Sequence, residues 1–438
     1  MYEFNVLFFV GANGYWIGTV PANKTDELRM ARCGLAYNEV TMATALAGVT
    51  IIDLTHMLSG PYAGMILADL GAETIKVEPL VGEGTRKLLQ SDPEYSLGDQ
   101  GAYFITLNRN KKSVAIDLKS PQGLEVFYDM VREADIVLDN FAADVTKKLK
   151  IDYAHLAQVN PKIITCSISG FGNDGPQYRR TAFDQVVQAL GGGMSITGLD
   201  KDTPMRAGIP IGDLGGGMFA VMGVLAALRE RDQKGLGQHV DISMLDVQIS
   251  LLNYMATMYF MSGKNPEPIG NSHFVHVPYN SFKTANGHII IAVIFDKFWD
   301  ALVDVLGVPE FRHEKYKGQP GRLADKQFIE ARLNEILATQ TTEHWLELFE
   351  AQRIPCARVN NFEQALSDEQ VLHRNMVVDL YNDQGQSVKG PGNPIKLSRH
   401  KDAYAPAPAL GADTVAVLQK IGYDEERIQT LRVAGAIR

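Results

Sequence analysis

Apolar and polar positions follow one another along this chain in blocks that spell out elements. Val49-Thr50-Ile51-Ile52-Asp53-Leu54 is a short β-rich apolar run, the pattern of a buried strand. After Ser59-Gly60-Pro61, the residues Ala63, Ile66, Leu67 and Leu70 recur at helical spacing, and Gly71 ends the pattern. Thr74-Ile75-Lys76-Val77-Glu78 reads as a second strand. Strand, helix and strand within about thirty residues make a β-α-β unit, which requires parallel pairing. The pattern repeats, with strands predicted over 113–117, 136–139 and 163–169 and a helix over 122–134. The expected fold is α/β, with a doubly wound, largely parallel, Rossmann-like sheet.

Farther along, 183–190 and 218–231 read as helices beside three-glycine clusters, and 240–260 as one long helix. Polar sequence over 262–278 predicts a loop, followed by a strand over 288–293 and helices carrying Trp299 and Trp345. The stretch with Pro391, Pro394, Pro406 and Pro408 reads as an extended return ending in a short helix over 414–421. The expected division is an N-terminal extension over 1–45, a large domain over 46–264, a smaller α/β domain over 265–370, and a return to the large domain over 371–438. Residues ahead of Met42 read as a loose tail or an extension from an upstream start codon. Their apolar run over 6–10 has no preceding Lys or Arg and is followed by Gly11 and Gly14, unlike a signal peptide.

At 438 residues the chain exceeds one simple core. Its 45% hydrophobic and 21% charged content is the ordinary globular balance. No run approaches the roughly 20 apolar residues of a bilayer span, so no membrane partner is expected. A formal net charge of -9 argues against nucleic acid or an anionic membrane as partner. Cys33, Cys166 and Cys356 are too scattered for a disulfide framework or a zinc cluster, and a reducing cytoplasm is the expected compartment. Of ten histidines, only His273 and His276 keep company, and no metal site is expected.

The chain lacks a P-loop Gly-Lys-Ser/Thr, a Gly-x-Ser-x-Gly elbow and, in the turn from Thr55 to Pro61, the dinucleotide fingerprint. That leaves acid, base or covalent carboxylate chemistry. Two segments stand out. In Ile209-Pro210-Ile211-Gly212-Asp213-Leu214-Gly215-Gly216-Gly217, a strand-like run ends at a carboxylate, followed by glycines and a helix. Asp213 there is either a helix cap or a nucleophile beside free backbone N–H groups. In Leu107-Asn108-Arg109-Asn110-Lys111-Lys112-Ser113, three cations precede a strand. They are either a solvated turn or a phosphate clamp.

Taken in order, further motifs carry a resemblance: Leu46-Ala47-Gly48-Val49, Asp69-Leu70-Gly71-Ala72-Glu73, Ile75-Lys76-Val77-Glu78, Asn108 to Ser113, Asp139-Asn140-Phe141, Ser167-Ile168-Ser169-Gly170-Phe171-Gly172 and Gly212-Asp213. From Leu46 to the C-terminus the chain resembles the class III CoA-transferases, the CaiB/BaiF type that includes formyl-CoA transferase. The resemblance implies a CoA-binding large domain, a small domain and an interlocked homodimer. It places the catalytic aspartate at Asp213, with coenzyme A and acyl-CoA as substrates and no permanently bound cofactor. It also implies contacts to the substrate. His56, Met57, Leu58 and Ser59 approach the pantetheine. Ile116, Leu118 and Lys119 lie on the adenine side. Asn140, Phe141 and Lys148 surround the nucleotide and its phosphates. Lys112 belongs to the basic segment, and Arg86 replaces an arginine that gives way to Pro79 here.

Gly270, Asn271 and His273 stand where formyl-CoA transferase has a glycine-rich lid, and this points to a different acceptor. His273 is either a ligand for its distal carboxylate or a structural loop histidine. A succinyl-CoA donor and a small dicarboxylic acceptor are expected. The α-methylacyl-CoA racemases, the alternative activity, resemble the chain around Arg180-Thr181-Ala182-Phe183-Asp184 but carry a histidine where Phe183 stands. Phe183 and Asp184 are retained as expected substrate contacts. A non-catalytic CoA-binding subunit is the remaining alternative, and the presence of Asp213 with its glycines speaks against it.

Overall fold

Short apolar runs bounded by glycine and polar turns build the sheet, and the helices between them cover its two faces. The structure, a computed structural model, describes residues 6–8, 16–18 and 44–438. Most of the expected N-terminal extension lies outside the described residues. Within it, Val6–Phe8 (β1) pairs antiparallel with Trp16–Gly18 (β2).

The remaining strands begin with Thr50–Asp53 (β3), Glu73–Glu78 (β4), the small pair Ser96–Leu97 (β5) and Gln100–Gly101 (β6), and Lys111–Ala115 (β7). Ile136–Asp139 (β8), Ile164–Ser169 (β9) and His239–Ser243 (β10) come after them. The main sheet runs β10-β9-β8-β3-β4-β7 and is parallel throughout. Building starts at β3, proceeds to one edge and then returns past β3 to the other, which is the doubly wound order. Neighbouring residues feed opposite faces, as the two-residue period of a strand requires. Ile52, Ile75, Val114 and Val137 join one core, and Ile51, Ile136, Ile164 and Cys166 the other.

The first helices are Ser59–Asp69 (α1), Ala102–Asn108 (α2), Pro121–Glu133 (α3), Val145–Leu149 (α4) and Tyr153–Val159 (α5). Asp184–Leu190 (α6), Ile211–Lys234 (α7), Met244–Leu252 (α8) and Tyr254–Ser262 (α9) come next. Helix α3 starts with Pro121 after Ser120, whose hydroxyl accepts the Gly123 N–H, and packs Phe127 and Met130 on the first core. Helix α1 is buried on nearly every side because α7 covers the face away from the sheet. By length and hydropathy α7 is long and apolar enough to cross a bilayer, yet half of that stretch is buried against α1, α8 and the sheet.

The expected single helix over 240–260 is corrected. Val240 and Ile242 pair with Cys166 and Ile168 as the edge strand β10, and Asn253, at φ +49°, separates α8 from α9. A third core, from Val277 to Ile354, encloses Trp299 and Trp345 against the antiparallel strands Tyr279–Lys283 (β11), His288–Ala292 (β12) and Cys356–Arg358 (β13). The proline-rich return contains a hairpin, Val377–Tyr381 (β14) with Ser387–Pro391 (β15). It ends in two helices, Thr414–Lys420 and Glu425–Val433, where the sequence pattern predicts one. The Asp413 carboxylate accepts the Ser113 N–H, and Ile437 bridges Ile116, so the C-terminus is tied to edge strand β7.

Candidate active site

In a doubly wound sheet the ligand crevice opens past the carboxyl ends of the strands where the winding direction reverses. That point lies between β3 and β8. The loops there are clasped by an amide: His56 N–H donates to Asn140 Oδ1 at 2.9 Å, and Asn140 Nδ2 donates to the His56 carbonyl at 2.7 Å. Met57 comes next at φ +64°, a left-handed conformation costly for a non-glycine residue. The turn delivers the chain into α1, whose first N–H groups have no side-chain cap.

A cavity of about 650 Å³ opens at this point. Its walls come from the ends of four strands: Thr55 to Met57, Val77 to Gly84, Ile116 to Lys119, and Phe141, with Val145 and Leu149 of α4. Thus His56, Met57, Ile116, Leu118, Lys119 and Phe141, scattered in sequence, line one cavity of ligand size. Asn140 stands behind the wall as the clasp. Leu58 and buried Ser59 lead into α1, and Lys148 is exposed on α4 between Val145 and Leu149.

The other expected cations are turned elsewhere. Arg109 holds Asp69 at 2.7 Å and Lys111 holds Asp53 at 2.8 Å, and both pairs are almost fully buried. Lys112 leaves the edge strand toward Glu73 at 2.7 Å. Arg86 grips Glu78 through two bonds of 2.7 Å and lies over the Phe104 ring. Acids on the neighbouring strand β4 thus engage both Lys112 and Arg86, the two cations that the resemblance makes CoA contacts. Lys119, with no ion-pair partner among the described residues, is the cation that lines the cavity.

The Asp213 segment also differs from its sequence pattern. Helix α7 begins at Ile211, so 209–211 is not a strand, and Asp213 sits in the first turn rather than at the cap, which is Pro210. The glycines lie inside the helix. Their missing Cβ atoms admit close packing: one on Gly217 would meet the Ser59 carbonyl at 2.6 Å, and one on Gly216 would meet Met244 at 3.1 Å. This presses the first turns of α7 onto the start of α1, next to His56 and Met57.

The Asp213 carboxylate has no hydrogen-bond partner among the described residues. Burial, and then the charge of Asp184, push it up to about 6. Tyr103 of α2 is pushed up to about 12 by burial, by Asp213 and by Glu83. Glu83 lines the cavity, so Tyr103 feels one acid of the cavity wall and one of helix α7. Sequence reasoning missed both. Glu83, an acid between Gly82 and Gly84 just after a strand, carried a readable signal, whereas Tyr103 carried none.

The remaining expected contacts separate. Phe183 is 65% exposed at the start of α6. Asp184 faces the backbone of α7 and not the cavity: its Oδ1 accepts from Gly212 N at 2.8 Å. Gly270, at φ +61°, donates its N–H to the Gly198 carbonyl, and Asn271 Nδ2 donates to Ser281 Oγ. His273 Nδ1 accepts from Val275 N and His276 N, so the neutral ring carries its proton on Nε2. The ring stacks on Phe274 at 4.5 Å between centroids. One nitrogen is therefore structural, and the other keeps a donor.

A parallel doubly wound sheet with an apolar cavity at its reversal point and an unpaired carboxylate beside it defines a class, and the comparisons supply its name. The chain belongs to CoA-transferase family III, whose model matches residues 46–414. It is a transferase of that class. It is 37% identical over 386 residues to the succinate–glutarate CoA-transferase of Agrobacterium fabrum, covering 86% of this chain and 95% of that protein. It is 32% identical over 408 residues to the succinyl-CoA:glutarate CoA-transferase of Homo sapiens, covering 92% of each. A solved CaiB/BaiF family protein from Brucella suis superposes with a TM-score of 0.78 at 31% identity, over 86% of this chain and 100% of the other.

Proposed function

We propose that this chain moves CoA from succinyl-CoA to a small dicarboxylic acid by way of the Asp213 carboxylate. The observation that carries the reading is that carboxylate itself: mostly buried, raised to about 6 and free of any cation or hydrogen-bond partner among the described residues. Such a group is ionised near neutral pH yet poorly solvated, which makes it a capable nucleophile. The substrates are inferred from relatives named for succinyl-CoA, succinate and glutarate.

An Asp213 oxygen attacks the thioester carbonyl carbon. The C–S bond breaks, CoA leaves as thiolate, and a mixed anhydride remains. The thiolate attacks Asp213 Cγ and expels the donor carboxylate, giving an aspartyl thioester. The acceptor carboxylate attacks that Cγ and releases thiolate again. The thiolate then attacks the acceptor carbonyl and restores free Asp213. No water is consumed, so the thioester bond energy is conserved if the cleft stays dry. In this reading the backbone N–H groups at the start of α1 steady the oxyanions.

The cavity suits the pantetheine and adenosine, with Lys119 toward the phosphates, and His273 Nε2–H suits a distal carboxylate. A homodimer belongs to the same reading. Met258, Phe260 and Met261 on α9 expose apolar side chains, Phe260 at 82% and Met261 at 84%. The test is peptide mass spectrometry after mixing the enzyme with succinyl-CoA. A CoA adduct confined to the Asp213 peptide, cleaved by hydroxylamine, is expected; an adduct on another residue, or none under turnover, would refute the assignment.

A further inference from the structure

The resemblance makes Asp184 a substrate contact, but its carboxylate is spent on the helix that bears Asp213. We propose that Asp184 is a positioning residue that fixes the Asp213 turn and keeps a second negative charge beside it. This rests on the reading of Asp213 as the nucleophile.

The contacts come from one helix gripping another. Asp184 Oδ1 accepts from Gly212 N at 2.8 Å and from Asp213 N at 3.3 Å, two of the donors that a helix start leaves unpaired. The cap residue of α7, Pro210, supplies no side-chain acceptor. Asp184 Oδ2 accepts from Gln188 Nε2 at 2.7 Å one turn along α6. Buried Gln188 in turn accepts the Ala207 N–H at 3.0 Å through Oε1. Helix α6 therefore holds the chain at 207 and again at 212–213, so the loop between them delivers Asp213 at a fixed place. A Cβ on residue 212 would lie 2.9 Å from Asp184 Oδ1 and 2.7 Å from Val187 Cγ2. Glycine at 212 is the residue that permits this approach.

A serine or threonine at the cap position could satisfy those N–H groups without charge. Here the acceptor is a carboxylate, and it faces another carboxylate. The charged group acting on Asp213 is Asp184 from α6, and Asp213 in turn acts on Tyr103 of α2 together with Glu83; no cation acts on Asp213 among the described residues. Asp184 meets the neutral amide of Gln188. Like charge and burial together keep the Asp213 oxygens basic, and nucleophilicity rises with basicity.

The experiment measures kcat and KM from pH 5 to 9 with succinyl-CoA and glutarate for the wild type, Asp184→Asn and Asp184→Ala. The Asp213 peptide is mapped by mass spectrometry in each. Asp184→Asn keeps an acceptor oxygen and removes the charge. The acid limb of kcat/KM should move down by about one pH unit, with plateau kcat about three- to tenfold lower. Asp184→Ala removes the acceptor as well. Its kcat should fall about 100-fold while KM for succinyl-CoA changes less than about threefold. An unshifted limb and wild-type kcat in Asp184→Asn, with CoA found on Asp213, would overturn the positioning role and leave the nucleophile standing. No adduct on Asp213 in the turning-over wild type would remove both. The nearly isosteric Asp184→Asn decides the matter if Asp184→Ala does not fold.

Discussion

Asp53, fully buried, and Asp213, partly buried, are two carboxylates whose surroundings drive them in opposite directions. Burial raises the Asp53 carboxyl, but Lys111 and Lys76 outweigh it and hold the group below the usual range. Asp213 is raised by burial and raised again by Asp184, with no cation in opposition among the described residues. Glu78 on the cavity wall is neutralised by Arg86, and Asp53 with Lys111 and Asp69 with Arg109 are neutralised pairs in the interior. Asp213, the proposed nucleophile, has no such partner among the described residues. Perturbation alone does not mark a functional group, since Asp139 is also raised to about 6 by burial. Asp139, however, accepts from Ser167 Oγ and from the Phe141 N–H, whereas the Asp213 oxygens accept from nothing among the described residues.

The largest effect that would test this contrast is loss of turnover. Asp213→Ala should lower kcat by about four orders of magnitude or more with no loss of melting temperature. Near wild-type transfer in that variant would erase the distinction between the two aspartates. Lys111→Met should do the reverse, leaving the chemistry in place while removing the support. It strands Asp53 as a buried, uncompensated charge, and denaturant unfolding should show a loss of about 3–5 kcal/mol. Adding Asp53→Asn should recover part of that loss, because the stranded charge goes with it. A loss under about 1 kcal/mol would mean that water reaches the pair.

Much of this fold could be read in advance and much of the electrostatics could not. The strands and α1 were legible because apolar runs of four to six residues end at Gly71, Pro79 or polar turns, so period and punctuation agree. Strand β10 was not, because Val240 and Ile242 run straight into the apolar Met244–Leu252 helix without a glycine or proline between them. The basic stretch from Arg109 to Lys112 looked free because its partners lie far off in sequence. Asp69 is 40 residues from Arg109, and Asp53 is 58 residues from Lys111. Spacing suggested an N-cap at Asp213 for the same reason: the real acceptor, Asp184, belongs to another helix. Motif resemblance singled out Asp213 as the candidate, but its unpaired state among the described residues is visible only in three dimensions.

A smaller effect comes from pH. Asp213 has a folded value of about 6 against an ordinary 3.8, so between those values the folded chain binds the extra proton and stability falls as pH rises. Above about 6 the full cost of the bare carboxylate is present. Asp53 behaves oppositely: its contribution is present above 3.8 and is lost as pH falls through its lower folded value. Asp213→Asn should therefore raise the melting temperature at pH 8 by roughly 1–2 °C and leave it unchanged near pH 4. Equal shifts at both pH values would mean that packing, not charge, separates the variant from the wild type. For activity, kcat/KM should rise with pH through an acid limb near 6 as Asp213 ionises.

The smallest effect concerns Lys112, where the sequence and the structure give different roles. A lysine that held a CoA phosphate would raise KM for succinyl-CoA by about tenfold or more when removed. The structure sends it instead to Glu73, with 46% of the side chain exposed. Glu73 also receives Lys420 from the C-terminal return, so losing one cation leaves the other. Burial raises the Glu73 carboxyl, but the bonds from Lys112 and Lys420 hold it below the usual range. An exposed pair with a second cation in reserve contributes about 0–1 kcal/mol and is weakened by salt. Lys112→Ala should accordingly change stability by less than about 1 kcal/mol and KM by less than about twofold. Lys119→Ala, which removes the cation on the cavity wall, should raise KM by more than Lys112→Ala does. If the two rank the other way, Lys112 leaves Glu73 to hold the CoA phosphates and Lys119 does not.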